Sequence, residues 1–243
     1  MNIALIGYGK MGHAIEQVAI ERGHEIIMTI SSVNRYDLTP EKLRNIDVAI
    51  EFTNPEAAKE NVLLCLQSGV PVVCGTTGWN EGLAEAGSIA EANGTSFLHA
   101  SNFSVGVNIF FQVNKYLASL MDRQEDYNVV LEETHHTQKK DAPSGTAITL
   151  AEQIIENISR KASWSAQSPS EENTIPIKCN RTENVPGTHY VRYTSEIDDI
   201  EIIHTAHTRE GFARGAVLAA EYIHTRKGVF TMEDVLGFSK KSF

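Results

Sequence analysis

Two histidines and two lysines lie within six positions near the middle of this chain, at His135, His136, Lys139 and Lys140. An imidazole can donate a proton near neutral pH, and an ammonium group can attract a carboxylate or stabilise developing negative charge. Such a concentration of donors is unexpected in a protein of formal net charge -10 unless it meets an anionic ligand. We therefore expect a site for a small carboxylate with proton donors beside it, although a solvated loop has the same composition.

The residues that follow this loop predict the start of a helix. Ser144 is a typical N-cap, and Gly145 and Thr146 precede an apolar repeat over residues 148–155. The N–H groups of a first helical turn have no intrahelical acceptor, and they lie at the positive end of the helix dipole. We expect Ser144, Gly145 and Thr146 to bind a carboxylate there, the alternative being a helix cap alone.

The first residues of the chain carry a nucleotide-binding signature. A short apolar strand over residues 2–6 leads into Gly7, Gly9 and Gly12, spaced as G-x-G-x-x-G, and a helical pattern follows. In this context the first glycine permits a tight turn, the second lets a pyrophosphate approach the backbone, and the third allows close helix packing. We therefore expect a nucleotide cofactor, and the alternative is a glycine-rich turn of a generic α/β unit.

Strand and helix patterns alternate over about the first hundred residues, which predicts a parallel sheet. Ligands of such sheets bind at the carboxyl ends of the strands, so three loops are expected to hold the cofactor, although ordinary turns have similar composition. The expected cofactor-binding residues of these loops are Gly7, Tyr8, Gly9, Lys10, Met11, Gly12, Gly75, Thr76, Thr77, Ala100, Ser101, Asn102 and Phe103.

The pattern changes after Phe103, where one long apolar helix precedes a strand, the donor-rich loop, a second helix and three more strands. We predict an α/β protein with a Rossmann-type parallel sheet domain over residues 1–104, completed by residues 211–243. A central α+β substrate domain with a mixed sheet is expected over residues 105–210. Residues 161–173 are polar and turn-rich, and they predict an exposed connection.

Length and composition exclude several classes of protein. The 243 residues, 42% of them hydrophobic, suffice for a sizeable core, and a sequence pI near 5.4 argues against a nucleic-acid surface. Cys65 and Cys74 lie in apolar runs and Cys179 stands apart, so free thiols are expected rather than disulfides or metal ligands. The sequence has no leader and no long apolar segment, and we expect a cytoplasmic protein without a membrane partner.

Both signatures together resemble the 4-hydroxy-tetrahydrodipicolinate reductase (dihydrodipicolinate reductase) family, and the matching order extends over most of the chain. The resemblance implies a nicotinamide-dependent oxidoreductase of diaminopimelate and lysine biosynthesis, which reduces a cyclic imine dicarboxylate with loss of water. It also implies a central domain that supports a homotetramer. The matching segments are residues 7–12 (GYGKMG), 52–55 (FTNP), 75–78 (GTTG), 101–106 (SNFSVG), 133–146 (ETHHTQKKDAPSGT) and, more weakly, 185–187 (VPG).

Individual roles follow from the resemblance at the matching positions. His135 is similar to the family's proton donor, and Lys139 is similar to its second catalytic donor, which also contacts the substrate. His136, Gly145 and Thr146 match substrate-binding positions. No metal is expected, because adjacent histidines at a strand end point in different directions and no other ligand spacing supports a metal site.

Two departures from the family pattern bear on the cofactor and on assembly. The second strand ends at Ser31, where an acidic residue commonly meets the adenosine ribose and repels a 2′-phosphate. Hydroxyl groups with Arg35 nearby favour NADPH as the cofactor, with NADH as the alternative. Between Thr188 and Ala206 the family usually has a longer strand pair, and this chain lacks part of that sequence. The family's oligomeric state is therefore a less safe expectation for this chain than the family's active site.

Two competing functions remain open at this point. A different nicotinamide-dependent dehydrogenase of a small carboxylate substrate would have the same architecture, and the choice of substrate would distinguish it. A non-catalytic dinucleotide sensor would need a partner surface and would have no use for His135 and Lys139.

Overall fold

The computed structural model describes residues 1–167 and 171–238. Within them the chain forms two compact units. The first contains Met1–Val105 and the described residues from Arg209 onward, and the second contains the described residues of Gly106–Thr208. No helix among the described residues is long and apolar enough to cross a membrane.

The first unit contains a six-stranded parallel sheet, in the order β11-β5-β4-β3-β1-β2. Both faces of a parallel sheet are covered, which explains why every residue of β3 and β4 is buried. The predicted Rossmann-type sheet is thus confirmed. Its strands are β1 (Asn2–Ile6), β2 (Glu25–Ile30), β3 (Val48–Glu51), β4 (Val72–Cys74), β5 (Ser96–His99) and β11 (Gly228–Phe230).

Helices of the first unit begin where the sequence supplies capping groups. Asn54 accepts a hydrogen bond from the amide of Ala57, and Pro55 takes the first helical position of α3. Thr231 forms a capping box with Asp234 at α8. The helices are α1 (Lys10–Glu21), α2 (Pro40–Leu43), α3 (Pro55–Gln67), α4 (Leu83–Ala92), α7 (Glu210–Ile223) and α8 (Met232–Val235).

The second unit contains a five-stranded mixed sheet in the order β10-β9-β6-β8-β7. The β10–β9 and β9–β6 pairs are antiparallel, whereas β6–β8 and β8–β7 are parallel, so the mixed sheet is confirmed. Apolar side chains from β6, β8 and β9 pack with two helices into one core. These elements are α5 (Val105–Met121), β6 (Asn128–His135), α6 (Gly145–Asn157), β7 (Ser163–Ser165), β8 (Thr174–Arg181), β9 (Gly187–Thr194) and β10 (Asp199–Ala206).

Three sequence predictions need correction or comment. Residues 161–173 are not simply an exposed connection, because β7 lies within them and Lys161 is buried with its Nζ 2.5 Å from the carbonyl of Glu172. Residues 168–170 of that segment fall outside the described residues. The strand β11 was not predicted. Between Thr188 and Ala206 the structure has a full hairpin, since β9 and β10 are eight residues each.

Candidate active site

In the loop after β1, the fold requires glycine at two of the three positions of the G-x-G-x-x-G signature, Gly7 and Gly12, but not at Gly9. Gly7 has a φ of +100°, and a Cβ there would lie 2.0 Å from the carbonyl oxygen of Phe52. A Cβ at Gly12 would lie 2.4 Å from the carbonyl oxygen of Gly7. A Cβ at Gly9 would meet no atom of the described residues within 4 Å. Open space beside the Gly9 backbone at a helix start fits a cofactor pyrophosphate.

The loop after β4 is held rigidly by its neighbours in the first unit. Thr76 is buried, its Oγ1 accepts a hydrogen bond of 2.8 Å from the amide of Thr53, and its carbonyl accepts one of 2.8 Å from the Trp79 indole. His99 Nε2 also lies 3.0 Å from that carbonyl. A Cβ at Gly75 would lie 2.1 Å from the Phe52 ring, so this glycine permits close packing. The loop therefore presents a fixed backbone to a ligand.

The loop after β5 ends at the same edge of the sheet. The amide of Ala100 donates to the carbonyl of Cys74, and Asn102 accepts a hydrogen bond of 2.9 Å from the amide of Ser104. Phe103 is buried, and its ring centroid lies 5.6 Å from that of Phe52. Since β1, β4 and β5 are parallel, the structure brings the three loops to one edge, as predicted.

Other predicted cofactor residues are engaged with the protein itself. Tyr8 donates a hydrogen bond of 2.5 Å to Glu16, and its ring centroid lies 4.1 Å from that of His13. Met11 packs against the core of the first unit. The backbone of this loop is therefore better placed to contact a ligand than these two side chains.

Polar and cationic groups follow the end of β2. The amide and hydroxyl of Ser31 both donate to Asn34 Oδ1, at 2.8 and 3.0 Å. The Arg35 guanidinium lies 4.7 Å from the Tyr36 ring centroid and donates to its hydroxyl at 2.7 Å. The nearby carboxylate of Asp37 is paired with Lys42 at 2.5 Å, so its charge is balanced.

In the second unit, the predicted proton donor closes strand β6. His135 and Glu133 are two positions apart and therefore share the buried face of the strand. Glu133 Oε2 lies 3.6 Å from His135 Nδ1. Across the antiparallel pair with β9, His189 stands opposite Glu133, and its Nε2 lies 3.8 Å from the same carboxylate oxygen. The two imidazole rings meet edge to face at a centroid distance of 5.0 Å.

Arg181 at the end of β8 anchors the donor-rich loop. Its Nη1 lies 3.3 Å from Glu133 Oε1, and its Nη2 donates a hydrogen bond of 2.5 Å to the carbonyl of Asp141. Lys139 Nζ lies 2.9 Å from Asp141 Oδ2, and the Lys139 side chain is 24% exposed. The ammonium group is thus held at the surface of this cluster, where an anionic ligand can reach it.

The helix start after the loop is built as the sequence predicts. Ser144 is the N-cap of α6, and its hydroxyl accepts a hydrogen bond of 3.2 Å from the amide of Ala147. The same hydroxyl lies 3.2 Å from His189 Nε2, and the amide of Ser144 donates to both oxygens of Glu133. The helix start is therefore hydrogen-bonded to Glu133 and lies in contact with His189, while the predicted proton donor His135 lies 3.6 Å from the same carboxylate.

Burial controls the protonation of this cluster. Desolvation lowers the pKa of His135 to about 4, although the charge of Glu133 opposes the shift. Desolvation also lowers the pKa of His189 to about 3, assisted by repulsion from neighbouring cationic groups. Burial alone would raise the pKa of Asp141, but its hydrogen bond and charge contact with Lys139 hold it below the ordinary value.

Glu133, His135 and His189 also have the composition of a metal site, with ligand atoms all within 4.8 Å of one another. The local charges disfavour a cation there. Glu133 already faces the Arg181 guanidinium and accepts hydrogen bonds from the Ser144 amide. The Glu133 oxygens are thus already engaged by donors of the protein.

Sequence reasoning missed three residues of this cluster: Glu133, Arg181 and His189. A sequence signal existed for Glu133, because it stands two positions before His135 and so shares its face of a strand. The pattern Gly187-x-His189 carried no comparable signal, because only the pairing of β9 with β6 brings it to the site.

The parallel sheet with its glycine loops, together with a second unit that carries buried histidines, defines a class of dinucleotide-binding oxidoreductases. The family model described as "Dihydrodipicolinate reductase, N-terminus" matches residues 1–103, and the one described as "Dihydrodipicolinate reductase, C-terminus" matches residues 106–236. The chain belongs to the dihydrodipicolinate reductase family.

Curated relatives and solved structures agree with this membership. The chain is 51% identical over 237 residues to the 4-hydroxy-tetrahydrodipicolinate reductase of Christiangramia forsetii, covering 97% of this chain and 98% of that protein. It is 33% identical to the reductase of Methanocaldococcus jannaschii, covering 98% and 83%. A dipicolinate-bound dihydrodipicolinate reductase from Paenisporosarcina sp. TG-14 superposes with a TM-score of 0.72 at 26% identity, covering 95% and 97%.

An amine dehydrogenase from Mycobacterium smegmatis has a TM-score of 0.59 at 13% identity, covering 96% of this chain and 95% of that one. This likeness concerns the fold alone. It gives no support to a dehydrogenase of another substrate.

Proposed function

We propose that this protein reduces 4-hydroxy-tetrahydrodipicolinate to tetrahydrodipicolinate, with loss of water, in diaminopimelate and lysine biosynthesis. The observation that carries the proposal is the cluster in which buried His135 lies beside the α6 helix start and the Lys139 loop. The 51% identity to a curated 4-hydroxy-tetrahydrodipicolinate reductase supports the same activity. In this proposal the first unit binds the nicotinamide cofactor and the second binds the substrate.

The substrate's chemistry accounts for the groups in the second unit. The ring carries two carboxylates, for which Lys139 and His136 supply cationic and donor groups. The positive end of the α6 dipole, at Ser144, Gly145 and Thr146, supplies a favourable potential for the same anion. When bound, reduced nicotinamide supplies a hydride to the ring. The resulting enamine needs a proton on the neighbouring ring carbon. His135, whose ring packs against the His189 ring beside Ser144, is the proposed donor.

The low pKa of His135 near 4 means that its ring is neutral at pH 7 without a ligand. A bound dianion favours the charged imidazolium, because opposite charges nearby raise the pKa of a base. Substrate binding and protonation of the donor are therefore coupled in the proposed mechanism. This coupling replaces the simpler expectation of a histidine that titrates near its ordinary pKa.

The proposed cofactor is NADPH in preference to NADH. Within the described residues from Ser31 to Asp37, the carboxylate of Asp37 is paired with Lys42, whereas Arg35 lies exposed beside Tyr36. A cation here attracts a 2′-phosphate, and a ribose-binding acid would repel it. An R35A variant is expected to bind NADPH about tenfold more weakly and NADH unchanged, as measured by fluorescence titration. Equal effects on both cofactors would contradict the assignment.

We further propose that the chain forms a homo-oligomer, with the tetramer that the family resemblance implies. Helix α5 exposes an apolar stripe in the second unit, including Ile109, Val113, Tyr116 and Leu120. Apolar side chains exposed together along one face commonly mark a contact surface. Light scattering coupled to size-exclusion chromatography measures the subunit number, and a monomer at micromolar concentration would contradict the proposal.

The test of the proposed activity generates the unstable substrate in place. Pyruvate and aspartate semialdehyde are condensed by the preceding enzyme, and the loss of NADPH or NADH is followed separately. The H135Q variant should lower kcat by about 10²–10⁴-fold while retaining cofactor binding, because a general acid supplies that factor. Wild-type protein that binds cofactor but shows no turnover would favour the sensor function. Turnover with another carboxylate substrate only would favour a different dehydrogenase.

A further inference from the structure

His135 is enclosed differently at its two ring nitrogens. Nδ1 is fully buried, lies 3.6 Å from Glu133 Oε2 and has no hydrogen-bond partner among the described residues. At the opposite side of the ring, a Cβ added to Gly187 would lie only 3.0 Å from Nε2. Any other residue at position 187 would therefore cover Nε2. The ring presents one nitrogen to a carboxylate and the other to the space that a glycine leaves open.

Glu133 is itself fixed and cannot turn away from the imidazole. Its side chain is 0% exposed, and its oxygens accept hydrogen bonds of 3.1 and 3.3 Å from the amide of Ser144. Arg181 contacts Oε1, so Oε2 is left to face His135 and His189. A buried carboxylate is costly unless it is satisfied in this way. Its position therefore depends on the helix start and on β8 as well as on its own strand.

We propose that Glu133 is the positioning residue of the proton donor, and that it and Gly187 together direct His135 Nε2 toward the substrate. This inference rests on the proposed function. In the protonation step the Nε2–H bond breaks, its electron pair stays on the imidazole, and the enamine electrons form the new C–H bond. The Nδ1–H remains directed at Glu133, whose charge balances the imidazolium before the transfer.

The same carboxylate links proton delivery to substrate capture. Because Glu133 accepts from the Ser144 amide, it fixes the N-cap beside Gly145 and Thr146. The charged groups that act on His135 are Glu133 and Asp141, which favour its protonation, and Lys139 and Arg181, which oppose it. The His189 ring packs against it from β9. Removing the Glu133 charge leaves two cationic groups opposed only by the more exposed Asp141.

The test compares E133Q with E132Q. Glu132 is the neighbouring residue on the opposite face of β6, where it accepts a hydrogen bond from Asn180, so E132Q is a matched control. E133Q should lower kcat at pH 7.5 by about 10²-fold, within the range that general acids supply. The falling limb of its kcat–pH profile should move to lower pH by about one unit, because the imidazolium has lost its anion. NADPH affinity should remain as in E132Q.

The interaction between His135 and Glu133 can also be measured directly, without catalytic turnover. NMR with ¹⁵N-labelled histidine should find the neutral His135 ring protonated at Nδ1 in the wild type and in E132Q. In E133Q the titration midpoint of this ring should fall. If the wild type lacked reductase activity, the proposed function would fail, while this spectrum would still report whether Glu133 orients the imidazole.

A second variant keeps the test decisive if E133Q does not fold. G187A adds one methyl group beside Nε2 on β9 and leaves Glu133 intact. It should lower kcat by about tenfold or more with an unchanged Nδ1–H tautomer, because small displacements of reacting groups are costly. The proposal is overturned if folded E133Q keeps kcat and pH profile within about twofold of E132Q, or if G187A turns over normally.

Discussion

Replacing His189 should reduce the loss of folding stability that the protein undergoes as the pH falls. The ring is 5% exposed, and burial lowers its pKa to about 3, so it stays neutral in the folded protein down to acidic pH. In the unfolded chain it titrates near its ordinary value of about 6.5. As the pH falls below that value, only the unfolded state gains the proton. Stability is therefore complete above about pH 6.5 and is lost as the pH falls toward the folded-state pKa.

The magnitude follows from this difference in proton binding. Between pH 7 and pH 5 the unfolded imidazole becomes almost fully protonated while His189 in the folded state stays neutral, which lowers the free energy of unfolding by about 2 kcal/mol. The figure hardly depends on the folded-state pKa, since any value below about 4.5 leaves the buried ring neutral at pH 5. His135 adds a loss of the same sign.

The assay is urea denaturation of the wild type and H189N at pH 7, 6 and 5. Asparagine cannot titrate and can still bond to Ser144, so H189N should lose about 2 kcal/mol less than the wild type over this range. Equal m-values would show that both proteins unfold to a similar extent. Parallel curves for the two proteins would refute the claim that His189 is held neutral in the site.

Three further variants test the other parts of the site. K139A should raise KM for the dianion about tenfold and also lower kcat, because its ammonium group is the accessible cation beside Asp141; steady-state kinetics measure both. S144A should lower the free energy of unfolding by about 1 kcal/mol, because the cap to Ala147 is lost; urea denaturation measures the change. G9A should leave the thermal midpoint unchanged and weaken NADPH binding about tenfold, since its Cβ enters open space.

Matched controls separate local from general effects in these experiments. K178A removes an exposed lysine of β8 and should leave both kinetic parameters unchanged. G12A should destabilise the fold, because its Cβ would lie 2.4 Å from the Gly7 carbonyl oxygen. A normal KM in K139A, unchanged stability in S144A, or tight NADPH binding in G9A would each contradict the corresponding role.

Much of the fold was predictable because its signals are local. The alternation of strands and helices, the Asn54 and Pro55 helix start, and the Ser144 cap all follow from short-range chemistry. Strands β7 and β11 were missed because each has only three residues and no alternation that distinguishes it from a turn. Their existence depends on pairing with β8 and β5, which local sequence does not encode.

The candidate site was predictable only where its residues are neighbours in sequence. His135, Lys139 and Ser144 lie in one continuous segment, so their spacing could be read directly. His189 and Arg181 reach the segment through the register of β9 and β8 against β6. The depressed pKa of His135 likewise arises from burial, which follows from tertiary packing and has no sequence signature of its own.

The edge strand β11 affects the order in which the protein can fold as it is synthesised. Residues 228–230 complete the six-stranded parallel sheet of the first unit by pairing with β5. The sheet of the second unit uses only strands between residues 128 and 206. The later part of the chain thus closes the earlier sheet. During synthesis on the ribosome, all strands of the second unit are therefore made before β11. Until β11 is made, the outer edge of β5 is unpaired and can pair with a strand of another chain. Truncation before residue 228 would make that exposure permanent and should favour aggregation.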